Sequence, residues 1–164
     1  MNKEIIECLS KDRKLKKIID SVNIDLPPKG QNIYQSLIRA IIYQQSAGKA
    51  ADAIFKRFKK AFQYKVPSPK KLANASIEDL RAVGLSKQKA SYVQNVARFW
   101  IDEKLSRKDW TKMSNDAILK YLTQIKGVGP WTVQMLMMYT MHRYDIFPTG
   151  DYGIQMAMKQ LYGI

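Results

Sequence analysis

The stretch that most constrains this chain covers residues 122–151 and contains two glycines around one valine, Gly127-Val128-Gly129, followed directly by Pro130. Glycines let a backbone turn tightly and expose its N–H groups. Proline suits the first position of a helix, where its missing N–H is not needed. Apolar residues at helical spacing lie on both sides. The stretch predicts two packed helices joined by a glycine hairpin, then a polar loop that leads to Asp151 at the start of a third helix.

The outward N–H groups of such a hairpin, those of Gly127, Gly129 and Trp131, can bind a phosphate at the positive end of a helix dipole. The alternative is that the glycines form only a turn. The chain has 28 lysines and arginines against 14 acidic residues, a net charge of +14 and a pI near 9.8. This excess favours nucleic acid as the partner, although lysines on solvated helix faces would give the same count.

Residue counts argue against several other kinds of site. Cys8 is the only cysteine, which excludes an intramolecular disulfide and a four-cysteine iron–sulfur cluster. His142 is the only histidine, which makes zinc catalysis and a histidine triad poor hypotheses. No long apolar run or signal-like start is present, so we expect a cytoplasmic protein without a membrane partner. We also expect no cofactor.

Helical periodicity recurs along the chain, and no segment alternates as a strand would, so the predicted class is all-α. Two prolines and a glycine predict a connection over residues 23–30. Ser68 is a predicted cap of a short helix, and Ser76 with Asp79 resembles a capping box. The other predicted helices cover residues 2–22 (one bent helix or two short ones), 31–43, 49–62, 77–83, 87–103, 114–125, 130–141 and 151–162.

The hairpin, with Ile125 before it and Trp131-Thr132 after it, resembles the I-x-G-V-G-x-W/K-T/A pattern of the helix-hairpin-helix DNA glycosylase superfamily. Within it, the 3-methyladenine DNA glycosylase II group is the most similar branch. The resemblance extends from about Ile33 to the end of the chain. It implies a two-lobed helical bundle, with residues 1–164 forming a single domain. Family members usually continue well beyond the aspartate, so a chain that stops at Ile164 implies a form shortened at the C-terminus.

The resemblance assigns the catalytic role to Asp151, whose carboxylate would stabilise an oxocarbenium-like sugar and orient or deprotonate water. The alternative is that Asp151 only caps its helix. Relatives that also cleave the backbone carry a lysine where this chain has Trp131, so the resemblance implies a monofunctional enzyme. The indole could stack on a cationic alkylated purine or be a core aromatic residue. Tyr43, Tyr139 and Tyr152 are weaker candidates for the base pocket, and Asp145 is a loop-organising runner-up to Asp151.

Two segments are the implied DNA contacts. One is the hairpin Gly127-Val128-Gly129, whose carbonyls can hold a monovalent ion in the family; no side-chain metal site is evident. The other is the break Gln44-Gln45-Ser46, which in the family lies in the minor groove and fills the hole left by a flipped nucleotide. The family usually has an apolar residue in place of Ser46. Gln44 could instead cap its helix through its side-chain amide.

A second helix–glycine–helix segment, around Gly84, is a looser echo of the hairpin that we interpret as structural, although Lys87 and Lys89 could touch phosphate. The sequence thus predicts a monomeric, nucleoid-associated glycosylase that removes alkylated purines of the 3-methyladenine type from double-stranded DNA in base excision repair. The alternatives are a non-catalytic DNA-binding module, a truncated inactive glycosylase, and a helical interaction domain without a nucleic-acid role.

Overall fold

A computed structural model describes residues 3–23, 32–46 and 48–164. These residues form helices, turns and loops without a strand, which agrees with the predicted all-α class. Within them no helix is both long and apolar enough to cross a lipid bilayer. The helices are α1 Lys3–Leu9, α2 Arg13–Ser21, α3 Ile33–Tyr43, α4 Gly48–Ala61, α5 Pro69–Ala73, α6 Ile77–Ala82, α7 Lys87–Asp102, α8 Asn115–Leu122, α9 Pro130–Tyr139 and α10 Tyr152–Tyr162, with 3₁₀ turns at Leu105–Arg107 and Trp110–Lys112.

The chain divides into two compact units. The first comprises residues 1–29 and 147–164, and the second comprises residues 30–146. In the first unit, α2 contacts the end of α10: the Lys14 ammonium donates to the Leu161 carbonyl at 2.6 Å and lies 5.2 Å from the centre of the Tyr162 ring. The N-terminal segment forms two short helices, because Asp12 begins a new one by accepting hydrogen bonds from the N–H groups of Lys14 and Leu15. Residues 24–30 of the predicted connection lie outside the described residues.

The core of the second unit is built on α3 and α7. The apolar stripe predicted for α3 is buried, and α7 contributes a matching stripe of small and β-branched residues. At one end of this pair, Tyr34 of α3 packs against Trp100 of α7 with ring centres 5.4 Å apart, and Trp100 stacks on Trp110. The fully buried residues of the two helices are Leu37, Ile38, Ile41, Ile42, Ala90, Val93, Val96 and Ala97.

Serine caps mark several helix starts in the second unit. Ser68, Ser76 and Ser114 each accept a hydrogen bond from the N–H three residues on, which satisfies a donor that the helix itself leaves free. The predicted caps at Ser68 and Ser76 are confirmed. The helix predicted to reach Ile125 instead ends at Leu122, because the Ile125 N–H bonds to the Leu122 carbonyl in a tighter turn that leads into the hairpin.

Candidate functional site

The hairpin between α8 and α9 requires glycine at its first position. Gly127 has φ +102°, in the left-handed region that glycine adopts without strain. A Cβ there would also lie 2.2 Å from Cγ of Tyr92, so a side chain has no room. Val128 is buried and its N–H donates to the Ile125 carbonyl at 2.9 Å. Contacts with Tyr92 and Val128 therefore hold the turn in place.

The second glycine has a different role. Gly129 caps α9 with φ −91°, a value open to any residue, and nothing lies within 4 Å of where its Cβ would be. Within the described part of the chain, the N–H groups of Gly127 and Gly129 donate no hydrogen bond. Two unused backbone donors at the start of a helix are the arrangement that binds a phosphate oxygen.

The Gln44-Gln45-Ser46 break packs against the hairpin through its first residue. The Gln44 side-chain amide donates to the Gly127 carbonyl at 3.0 Å and to the Thr132 hydroxyl at 3.4 Å. The end of α3 is closed by the backbone N–H of Gln44, which bonds to the Ala40 and Ile41 carbonyls. The interpretation that the Gln44 side chain caps its own helix is therefore wrong, because that amide crosses to the hairpin.

The next two residues of the break differ in exposure. Gln45 is exposed and has φ +50°. Ser46 is half-buried, and its hydroxyl accepts from the Lys89 ammonium at 2.7 Å. Lys89 also donates to the Ile42 carbonyl at 2.8 Å, and burial lowers the pKa of its ammonium. Of the two candidate wedge residues, Gln45 has its side chain exposed, whereas Ser46 is engaged by Lys89.

One face of α7 supports both segments. Lys89 holds the break, Tyr92 lies under Gly127, and the Asn95 amide donates to the Lys126 carbonyl at 3.2 Å. These three residues are spaced by three, so they share one side of the helix. Sequence reasoning did not find Tyr92 or Asn95, and it gave Lys89 a possible phosphate contact. Their regular spacing next to an apolar stripe was the available signal.

Three hairpin carbonyls already accept hydrogen bonds. They belong to Ile125, Lys126 and Gly127, and their donors are the Val128 N–H and the side chains of Asn95 and Gln44. A carbonyl oxygen has two lone pairs, so each of these three oxygens retains one lone pair that could accept a further contact. The monovalent ion expected at this hairpin stays a prediction. Among the described residues, no three His, Cys, Asp or Glu side chains cluster as metal ligands.

Asp151 lies in the first unit as the N-cap of α10. Its Oδ1 accepts a hydrogen bond from the Ile154 N–H at 3.0 Å. The Gln155 side chain donates to the Thr149 carbonyl at 2.8 Å and holds the preceding loop. Asp151 therefore caps α10, as the capping interpretation predicts. The catalytic role of Asp151 stays a prediction.

The aromatic candidates for the base pocket have different surroundings. Trp131 and Tyr139, on α9, are 47% and 44% exposed, so Trp131 is not a core aromatic residue. Tyr152, in the first unit, is 75% exposed. Tyr43 is instead held between α3 and α4, where its hydroxyl donates to the Asp52 carboxylate and its ring lies under the Arg39 guanidinium. Burial and Asp52 raise the pKa of the Tyr43 hydroxyl.

The loop after α9 is organised by Arg143. Its guanidinium donates to the Asn115 side chain and to the carbonyls of Trp110 and Met113, at 2.7 to 2.8 Å. A hydrogen bond with Asn115 and the nearby Arg143 charge lower the pKa of Asp145. The loop-organising role predicted for Asp145 agrees with these contacts, and the sequence analysis missed Arg143.

Comparison with known proteins identifies the family. Residues 38–164 match the model of the HhH-GPD superfamily base excision DNA repair protein. The chain belongs to this superfamily. This membership and the helical architecture confirm the family and the fold class predicted from the hairpin.

One curated relative and two solved structures show the extent of the similarity. DNA-3-methyladenine glycosylase 1 of Schizosaccharomyces pombe is 32% identical over 92% of this chain and 67% of its own length. A DNA-3-methyladenine glycosidase structure from Bacillus halodurans has a TM-score of 0.82 and 33% identity, over 99% of this chain and 75% of that one. A Schizosaccharomyces pombe 3-methyladenine DNA glycosylase in complex with abasic DNA has a TM-score of 0.76 and 32% identity, over 93% and 76%. The chain spans about half the length of some other curated relatives.

Proposed function

We propose that this protein is a monofunctional DNA glycosylase that hydrolyses the N-glycosidic bond of alkylated purines in base excision repair. The observation that carries the proposal is the hairpin of Gly127 and Gly129, whose two N–H groups are unused within the described residues, with Gln45 exposed on a turn bonded to it. Membership of a base excision repair superfamily supports it, as does the abasic DNA bound by one relative.

Duplex DNA binding rests on the hairpin and on the charge of the chain. The free N–H groups would bind one phosphate of the damaged strand without reading sequence. The net charge of +14 would attract the duplex over a longer range. Gln45 would enter the base stack where the damaged nucleotide leaves it. These contacts hold the strand on both sides of the flipped residue.

The chemistry assigned to Asp151 is electrostatic. As the bond between C1′ and the purine nitrogen breaks, its electron pair goes to the base and positive charge develops on the sugar. An alkylated purine is already cationic, so it leaves as a neutral base without protonation. The Asp151 carboxylate stabilises the sugar cation and accepts a proton from the water that adds to C1′. The products are the free base and an abasic site.

Trp131 supports both the monofunctional reaction and the choice of substrate. Lyase activity requires an amine that attacks C1′ and forms a Schiff base. The position after Gly129-Pro130 carries an indole, which cannot do this. An electron-rich ring that is 47% exposed can instead stack on a cationic base.

The test is base release from a duplex that carries alkylated purines, measured by chromatography of the freed bases. We expect the native chain to release 3-methyladenine and to form no borohydride-trapped adduct with DNA. Asp151→Asn keeps a capping oxygen but removes the charge, so release should fall by about 100-fold or more while the thermal unfolding temperature changes little. Absence of release by the native chain would overturn the proposal, and a trapped adduct would overturn its monofunctional part.

The competing function is a non-catalytic DNA-binding module with the same hairpin. The same assay distinguishes the two, because a binding module would bind abasic and undamaged duplexes and release no base. Salt-independent, weak binding would instead point to a helical interaction domain without a nucleic-acid role.

A further inference from the structure

The end of α3 and the start of α7 are joined by a lysine whose hydrogen-bond acceptors among the described residues are neutral oxygens. The Lys89 ammonium contacts the Ile42 carbonyl at 2.8 Å and the Ser46 hydroxyl at 2.7 Å. The Ser46 hydroxyl in turn donates to the Gln44 carbonyl at 3.3 Å. A cation beside the last carbonyls of a helix is favourable, because it meets the negative end of the helix dipole. Lys89 therefore fixes the turn that follows α3.

The residue at the tip of this turn has no comparable support of its own. Within the described residues, the Gln45 side chain makes no hydrogen bond, and its backbone is in the left-handed region that non-glycine residues seldom adopt. Such a conformation persists when neighbouring contacts impose it. The neighbours on either side, Gln44 and Ser46, are the residues bonded to the hairpin and to Lys89.

We propose that Lys89 is a positioning residue that presents Gln45 to the DNA, and that Lys89 and Gln44 together hold the Gln45 turn and the glycine hairpin as one unit. The inference rests on the proposed function, because it names Lys89 as the residue that positions Gln45 in the proposed DNA site. The proposal explains why the half-buried Lys89 ammonium contacts neutral acceptors, because its two hydrogen bonds determine the backbone path of residues 44–46. The hairpin fixes the phosphate while the Gln45 side chain reaches the base stack at a set distance from it.

The experiment is a double-mutant cycle on DNA binding. Affinity is measured for a duplex with a tetrahydrofuran abasic analogue and for the undamaged duplex, and their ratio is the readout. Lys89→Met keeps the length of the side chain and removes the ammonium. Lys60→Met, at an exposed position on α4, removes the same charge and is the control.

We expect Lys89→Met and Gln45→Ala each to lower the abasic preference by about tenfold, the effect of losing one well-placed contact. The double variant should lose no more than either single variant, because both changes remove the same wedge. Lys60→Met should weaken both duplexes equally and leave the ratio unchanged. A ratio that Lys89→Met leaves intact, or losses that multiply in the double variant, would overturn the proposal.

Ser46→Ala is the second variant, for the case in which Lys89→Met does not fold. It removes one acceptor of the ammonium and leaves the lysine in place, and we expect a smaller loss of abasic preference. An unchanged preference in Ser46→Ala would contradict the proposal. If the native chain itself has no abasic preference, the proposed function fails; if it has one that both variants keep, only the role of Lys89 fails.

Discussion

At the scale of single residues, two glycines of similar appearance in sequence have different physical roles. Gly127 has a backbone conformation and a contact with Tyr92 that exclude a side chain, whereas Gly129 has an ordinary conformation and open surroundings. Gly127 therefore determines whether the hairpin forms. Gly129, which has no side chain, leaves the N–H groups of the hairpin accessible. The sequence indicated both glycines but could not separate these roles, because the separation depends on φ and on a ring 35 positions away.

Gly127→Ala and Gly129→Ala are a matched pair of the same chemical change. We expect Gly127→Ala to lower the free energy of unfolding by about 2 kcal/mol or more, because alanine is strained at positive φ and its methyl group would overlap the Tyr92 ring. Gly129→Ala should change stability by less than about 0.5 kcal/mol but weaken DNA binding, since the methyl group lies beside the free N–H groups. Urea unfolding and duplex binding measure the two effects. Equal stability losses would contradict this assignment.

Tyr34 is a buried phenol without a partner among the described residues. Burial raises the pKa of its hydroxyl far above the ordinary value of 10.0. The unfolded chain therefore loses this proton first as the pH rises above 10, so stability falls in that range. We expect Tyr34→Phe to reduce this alkaline loss and to leave stability at pH 7 unchanged or higher by about 1 kcal/mol, because an unsatisfied hydroxyl is removed.

Urea unfolding of both proteins at pH 7 and at pH values above 10 measures the Tyr34 effect. Tyr64→Phe is the control, since Tyr64 is 71% exposed and its hydroxyl meets solvent. A destabilisation of more than about 1 kcal/mol by Tyr34→Phe at pH 7 would indicate that the hydroxyl has a hydrogen-bonding partner.

At the scale of elements, the three segments of the candidate DNA interface in the second unit form one network. The break after α3, the start of α7 and the hairpin are joined by Gln44, Lys89 and Asn95. Each bond links a side chain to a backbone carbonyl or a hydroxyl in a different element. Such bonds set relative positions that helix packing alone leaves free by an ångström or so, and this precision matters for anchoring a strand.

A substitution of Gln44 tests whether this network supports the hairpin. We expect Gln44→Met, which keeps the side-chain length, to lower stability by about 1 kcal/mol and to weaken binding to the undamaged duplex, because the hairpin loses its support. Binding to the abasic duplex should weaken further, because the Gln45 turn loses the same support. Gln35→Met, an exposed position on the same helix, is the control and should change neither. Calorimetric unfolding and fluorescence-detected duplex binding are the measurements. Unchanged affinity in Gln44→Met would show that the hairpin is held without this bond.

At the scale of the whole molecule, charge determines how the protein meets DNA. The excess of 14 positive charges acts on any duplex, damaged or not. The contacts proposed for the hairpin and the Gln45 turn depend instead on strand geometry. The affinity for any duplex should therefore depend mainly on charge, whereas the preference for damaged DNA should depend mainly on the hairpin and the Gln45 turn.

Salt separates these two contributions. We expect affinity for undamaged duplex to fall roughly 100-fold or more between about 50 and 200 mM salt, as counterions released from several phosphate contacts require. The preference for abasic over undamaged DNA should change much less, since wedge contacts release few ions. Binding titrations at four salt concentrations give both slopes. A flat response for the undamaged duplex would contradict a phosphate-based interface.

The sequence by itself determined the helices, the serine caps and the glycine hairpin, because each depends on residues within a few positions of one another. It also determined the family, since the hairpin and the aspartate lie in one short stretch. The tertiary structure decided which side chains support the site. Gln44 meets Gly127 across 83 positions and Lys89 meets Ser46 across 43. Contacts over such distances depend on how helices pack, and residue spacing along the chain does not encode that packing.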